Sequence, residues 1–351
     1  MFKYYFKIRY KKLYIDVEIF IIGILFFNKI YIEFMAEFVK PDFSNINVDR
    51  TLPTVSITTI LGMLEEPFDQ QGVAQKTYNK HFNNPDSEYY QMTVEQIIEK
   101  WSAKGAASCH YGSMLDDYIG LNLNHKDIEL KLFKLDNNYD NDERLHGLCD
   151  SFDNFYSVLS KSGDTIFVDR EKTVYYTIEI KNPLNENEIL KYNIKGRFDA
   201  LFFNKRTNKW IVIDWKSSGS IDRTPNKWTK PLLGPMSRYP ALNYYTYTTQ
   251  LYFYKKTLVE NYLPEGTSPD DVVVMIVNLP GKIIEDVGRN FATHQAAYIY
   301  DSELLNKLFV FGAQKDFINK HLEAEKSKQK VEQIVTEEEN NKEVENLEDL
   351  F

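Results

Sequence analysis

The apolar positions of this chain follow two periods. Leu148, Phe152, Phe155 and Leu159 recur at helical spacing and predict a helix over 145–160. Helices are also expected over 93–104 and over 106–122, the second running through CHYGSMLDDYIGLNL. TLPTVSITTILGMLEEPF, residues 51–68, reads as a short strand or turn entering a helix, with Ser56 and Thr58 as N-cap candidates. From residue 173 the period shortens to that of strands. TVYYTIEI (173–180), residues 192–203, residues 209–216 and DVVVMIVN (271–278) predict four of them. A helix over 242–262 separates the third strand from the fourth, and another over 301–326 follows. This order implies an α/β fold, a mixed central sheet flanked by helices.

The two ends read differently. The apolar run Ile19 to Phe27 has nine residues, whereas a membrane span needs about 20. Asp16 and Glu18 interrupt any longer window, and no small-residue cleavage site follows. A basic start before an apolar stretch is also the pattern of a weak signal anchor. The reading adopted is that translation starts at Met35, that residues 1–34 stand outside the fold and that no membrane is involved. Residues 35–326 then form the folded domain. The stretch 327–351, with EEENNKEVENLEDLF, is expected to be an acidic, disordered tail.

Charge and cysteine content narrow the classes. The net charge is −9. Ten acidic against four basic residues follow from His321 onward, and six basic against three acidic residues lie in the first 34. The body between them therefore carries −6, which argues against a non-specific nucleic-acid coat protein. A local basic strip is still sufficient for an enzyme acting on nucleic acid. Two cysteines exclude a disulfide framework and a four-cysteine zinc or iron–sulfur centre, and suit a reduced cytoplasmic setting.

Against this background GRFDALFFNKRTNKWIVIDWKSS, residues 196–218, stands out. It places Asp199, Asp214 and Lys216 in half-buried strands, where charge costs free energy unless compensated. If Asn204 pairs with Lys209 around a four-residue loop, Asp199 falls opposite Asp214, and Lys216 projects from the same face. Phe198, Ala200, Phe202, Ile211, Ile213 and Trp215 take the other face, to which Arg197 is also assigned, without a chemical role. Two convergent carboxylates suit Mg²⁺ or Mn²⁺, and a neighbouring lysine can orient a water or neutralise developing charge. The pattern points to phosphodiester hydrolysis, with Asp199, Asp214 and Lys216 as catalytic residues.

These motifs resemble the PD-(D/E)XK nucleases of the RecB-like exonuclease branch, including phage-encoded members and the mitochondrial genome-maintenance exonuclease group. Gly196-Arg-Phe-Asp199 matches the family's G-x-x-D, Asp214-Trp-Lys216 its D/E-x-K, and Gln250-Leu-Tyr-Phe-Tyr254 its helical Q-x-x-x-Y. PTVSITTIL resembles an early P-S-V-T-x-I-L segment. The resemblance covers roughly residues 51–280. It implies a restriction-endonuclease-like core and a metal-dependent DNA nuclease, an exonuclease on single-stranded ends in replication, recombination or repair. It also implies that Gln250 and Tyr254 contact DNA and that the Trp215 carbonyl is a metal ligand. The family's G-T-x-x-H-x-x-x-E departs here to Gly112-Ser-Met-Leu-Asp116-Asp-Tyr-Ile-Gly120. Asp116 stands where the family has its histidine ligand and is the expected third metal ligand, with Asp117 and His110 as alternatives.

The segment 216–238 carries five basic residues and one acidic one, with Trp228 among them. Lys227, Lys230 and Arg238 are the expected contacts to the phosphate backbone. Tyr244, Tyr245, Tyr247 and Tyr252 are read as helix packing. The terminal NLEDLF resembles tails that dock replication or repair proteins. The rival to the nuclease is a catalytically inactive protein of the same fold that binds DNA or acts as a scaffold.

Overall fold

The structure, a computed structural model, describes residues 39–44, 48–295 and 301–348, with side chains as far as residue 330. The chain divides into two units, Met1–Pro41 and Asp42–Phe351. The expectation for residues 1–34 and the tip of the tail lie outside the described residues. All that follows concerns the second unit.

A mixed six-stranded sheet organises it: β1 (Thr54–Ser56), β2 (Thr165–Asn182), β3 (Asn185–Asn204), β4 (Lys209–Lys216), β5 (Val272–Asn278) and β6 (Ala292–Gln295). The order is β1-β3-β4-β5-β6, with β2 paired to β3 along its other edge. β1–β3 and β4–β5 are parallel, and the remaining pairs are antiparallel. Seven helices accompany the sheet among the described residues: α1 (Ile57–Gly62), α2 (Gln70–His81), α3 (Val94–Leu123), α4 (Asp127–Asp136), α5 (Glu143–Ser160), α6 (Asn243–Asn261) and α7 (Ser302–Glu348).

Local chemistry explains where these elements begin. Ser56 caps α1 as expected, its hydroxyl accepting from the Thr59 N–H at 2.9 Å. Thr93 and Gln96 form a reciprocal capping box at the start of α3. Asp142 caps α5 through the N–H groups of Arg144 and Leu145. The two helices expected over 93–122 are one, because Gly105 sits at an exposed position that lets the helix pass through it. α7 continues to Glu348, where the acidic composition led to an irregular tail from 327. Glu, Lys and Gln propagate a helix already anchored by the buried Leu304, Leu305, Leu308 and Phe309.

On one face of the sheet Ala200, Phe202, Ile211, Ile213 and Trp215 pack against Leu115, Tyr118 and Ile119 of α3 and Leu148, Phe152 and Phe155 of α5. The opposite side of β4 meets α6, whose Tyr247 ring lies 4.5 Å from the Lys216 ammonium. Buried Tyr244 and Tyr252 are packing residues of α6, as expected.

Candidate active site

The second edge of β3 is shared. β1 pairs with it at Asn193–Lys195 and β4 from Ala200 to Asn204, leaving residues 196–199 between the two strands. The hairpin register is the predicted one, with Asn204 opposite Lys209 and Ala200 opposite Ile213. Beyond that pair β4 parts from β3 and its Asp214–Lys216 continue along Ile276–Asn278 of β5. Asp199 closes the gap by side chain, accepting the backbone N–H of Trp215 at 2.7 Å. Two further groups fill the notch. The Tyr254 hydroxyl of α6 donates to the Arg197 carbonyl at 2.8 Å, and the bare Cα of Gly196 lets α6 in. A Cβ there would stand 2.7 Å from both the Phe253 and Tyr254 rings.

Asp199, Asp214 and Lys216 meet in this notch. Lys216 Nζ lies 2.7 Å from Asp214 Oδ2. Asp214 is 1% exposed and has this ammonium as its partner. Burial, reinforced by the neighbouring Asp214, pushes the Asp199 carboxyl up to about 8, against the pull of Lys216 and the Trp215 N–H. Burial likewise raises Asp214, against Lys216. Burial works against the Lys216 ammonium, but Asp214 and Asp199 outweigh it and hold its pKa up. Two carboxylates facing one ammonium in a desolvated notch hold more negative charge than they can balance.

A second layer of charge adjoins. Asp116, on α3, is clamped by Arg170, whose Nη2 donates to its carboxylate at 2.6 Å and to its backbone carbonyl at 3.2 Å. The same guanidinium fills the space over Gly120, where a Cβ would lie 1.6 Å from Nη1. Glu171 of β2 is paired with Arg197 at 2.7 Å, its carboxyl raised by burial and by Asp116. Arg197 therefore corrects the assignment to the opposite face: two residues from Asp199, it lines the same cavity. Asp117 and His110 are exposed on α3, the His110 ring set edge-on to Tyr111.

That cavity, of about 430 Å³, opens beside Asp199 and is lined by Ser56, Thr58, Lys195, Arg197, Gln250 and Tyr254, among others. Gln250 and Tyr254 share a face, the Gln250 amide donating to the Tyr254 hydroxyl at 2.7 Å. The expected backbone contacts are placed apart from it. Lys230 pairs with Glu66, and Arg238 Nη2 lies 3.6 Å from Asp301. Lys227 stands 5.0 Å from the ring of Trp228, which is 79% exposed. Arg170, Glu171 and Lys195 escaped the sequence reading, and Tyr247, read as helix packing, stands over the Lys216 ammonium. For Lys195 a signal existed, since it alternates with Arg197 and Asp199.

The donor set fits a hard divalent cation in one respect: two buried carboxyl groups, Asp199 and Asp214, stand beside each other. Among the described residues no three His, Cys, Asp or Glu side chains are grouped closely enough to cage an ion. Among the described residues, too, no helix is long and apolar enough to cross a membrane. The chain matches no known protein-family model and no curated protein sequence, so the reading of this site rests on its own geometry.

Proposed function

We propose that this protein is a divalent-cation-dependent deoxyribonuclease with a restriction-endonuclease-like core, acting as an exonuclease on single-stranded ends. The observation that carries the reading is the convergence of Asp199, Asp214 and Lys216 in the notch where β4 leaves β3. Asp199 and Asp214 would hold Mg²⁺ or Mn²⁺, with the Trp215 carbonyl beside them. The bound ion supplies Lewis-acid stabilisation of the phosphoryl oxygens and a water of lowered pKa. Lys216, held charged by both carboxylates, orients that water and offsets charge developing on phosphorus. Tyr254 fixes the Arg197 backbone, and with it the basic wall of the cavity. Lys195 and Arg197 on that wall, with Gln250, suit the phosphates of a strand entering beside Asp199.

End-labelled single-stranded DNA with Mg²⁺ or Mn²⁺ tests the reading. The wild type is expected to shorten it, and Lys216→Ala to lower the rate by about 100-fold or more. A parallel RNA panel with free and blocked ends fixes the substrate class. One observation favours a second reading, a fold that binds DNA without cutting it. Asp116 and Gly120, at the positions of the resembled family's His and Glu, are both engaged by Arg170. Wild type that binds DNA, takes up no Mn²⁺ and cuts nothing would establish that alternative.

A further inference from the structure

We propose that Tyr247 is a positioning residue for Lys216, its ring face holding the ammonium at the notch when the carboxylates turn to the cation. The inference rests on the nuclease reading and gives a part in it to a residue that the sequence assigns to packing. Place on the helix is the first argument. Gln250 and Tyr254 follow Tyr247 by three and seven residues, so all three share one face of α6, and Gln250 and Tyr254 line the cavity beside Asp199. Tyr247 carries that face one turn further, to the end of β4. The second argument is the contact itself. Lys216 Nζ lies 4.5 Å from the centroid of the Tyr247 ring, within the range at which an aromatic face attracts a cation. The Lys216 side chain is only 21% exposed, and the attraction is strongest on a desolvated charge. The third is what loading does to the other contact. The Lys216 carbonyl accepts the Leu279 N–H at 2.7 Å, which fixes the base of the side chain and leaves its tip to Asp214, at 2.7 Å, and to Tyr247. Once Asp214 turns to a cation, it has less to offer the ammonium, and the added positive charge repels it. A lysine on a flexible four-carbon stem then swings to solvent unless something else holds it. A neutral ring face has no charge to surrender to the metal, so it is the contact that survives loading.

Proton–carbon NMR of the full chain labelled at lysine tests the placement without recourse to activity. A ring face shields the protons above it. The Lys216 ε-methylene signal, identified by its disappearance in Lys216→Arg, should therefore lie upfield of where Tyr247→Leu places it, in EDTA and with Mg²⁺ alike. Cleavage of single-stranded DNA gives the second readout. Tyr247→Leu should lower kcat by about tenfold and leave KM within about twofold, and Tyr247→Phe, which keeps the ring, should restore kcat to within about twofold of wild type. In a Lys216→Ala background Tyr247→Leu should add no further loss, because the tyrosine acts only through the lysine. If Tyr247→Leu fails to fold, ring-fluorinated phenylalanines at position 247 take its place. They keep the shape of the ring and drain negative charge from its face, so kcat should fall with each added fluorine. A Lys216 signal that Tyr247→Leu leaves in place overturns the proposal, as does a wild-type kcat in Tyr247→Leu, and both leave the nuclease reading standing. Equal losses in Tyr247→Phe and Tyr247→Leu also overturn it, since they assign the effect to the hydroxyl. A wild type that cuts nothing overturns the nuclease reading itself, and the positioning role falls with it.

Discussion

Asp199 carries two duties that conflict. Its carboxylate bridges β3 to the Trp215 N–H, and its charge sits in a desolvated notch beside Asp214. A carboxyl that ionises at 3.8 in the unfolded chain and at about 8 in the fold binds a proton on folding across that interval. The stability tied to it is complete below 3.8 and is lost as pH rises through about 8. Asp199→Asn keeps an oxygen for Trp215 and removes the charge. In EDTA at pH near 8.5 it is expected to stabilise the protein by about 1 kcal/mol, or about 2 °C in melting temperature, with no gain near pH 4.5. Equal melting of the two proteins at both pH values would mean that Asp199 ionises as an ordinary surface acid. The cost of keeping this pair of acids is the physical argument for the proposed cation. Asp199, Asp214 and Lys216 were legible in sequence because strand alternation and one loop length fixed their register. Glu171 was not, because alternation read outward from Asp199 says nothing of a neighbouring strand whose register is still unknown, and its left-handed backbone leaves no mark in residue type. Arg170, which fills the volume above Gly120, was hidden for a related reason: only the fold shows that a missing side chain on one element is replaced from another.

At the scale of elements, the notch exists because α6 reaches the unpaired edge of β3. Gly196 permits that approach. Gly196→Ala would drive a methyl into the Phe253 and Tyr254 rings at 2.7 Å, and both rings are buried. Neither has room to withdraw, so the helix must shift. A loss of about 1–3 kcal/mol is expected in urea unfolding, together with weaker Mn²⁺ binding as Tyr254 leaves the Arg197 carbonyl. Unchanged stability would show that α6 stands farther from the sheet than this. The four predicted strands and α6 were legible in sequence to within a few residues at most ends, because burial of one face imposes a period of two on strands and a helical period on α6; β6 was not foreseen. β2 begins earlier than its pattern suggests, since the polar VDREK segment is held in place by pairing to β3 rather than by its own burial. α2 and α4 were not foreseen. α4 has no fully buried residue: Leu130 and Phe133 pack against the core, but Ile128, Leu132 and Leu135 remain exposed, so its apolar positions do not form the single inward stripe that a periodicity argument presumes. α7 outran its expected end because helix propensity acts without burial once a packed first half has nucleated the helix.

At the scale of the molecule, a net charge of −9 must be reconciled with the proposed polyanionic substrate. Long-range attraction cannot supply the affinity, because the field of the whole body repels phosphate. The cations that composition suggested are partly committed: Lys230 to Glu66 and Arg238 to Asp301. Beside the notch stands the wall formed by Lys195 and by Arg197, itself paired with Glu171, which the proposed cation would supplement. Binding of a single strand should therefore neutralise about two or three phosphates, and log K against log monovalent salt should fall with a slope of about −1.5 to −2. Fluorescence anisotropy of labelled single-stranded DNA, with Ca²⁺ in place of Mg²⁺ to hold back cleavage, measures that slope. Removing the divalent ion should cost more affinity than doubling the monovalent salt. Lys195→Ala should reduce the slope by about 0.7, the share of one phosphate on a single strand. A slope steeper than about −4 would require a broad basic surface that this charge distribution does not provide. An acidic body that binds DNA only through a narrow basic wall and a cation gains little from internal stretches of duplex. It engages best where a flexible single strand can bend into the notch, and that is the physical ground for expecting it to work from ends.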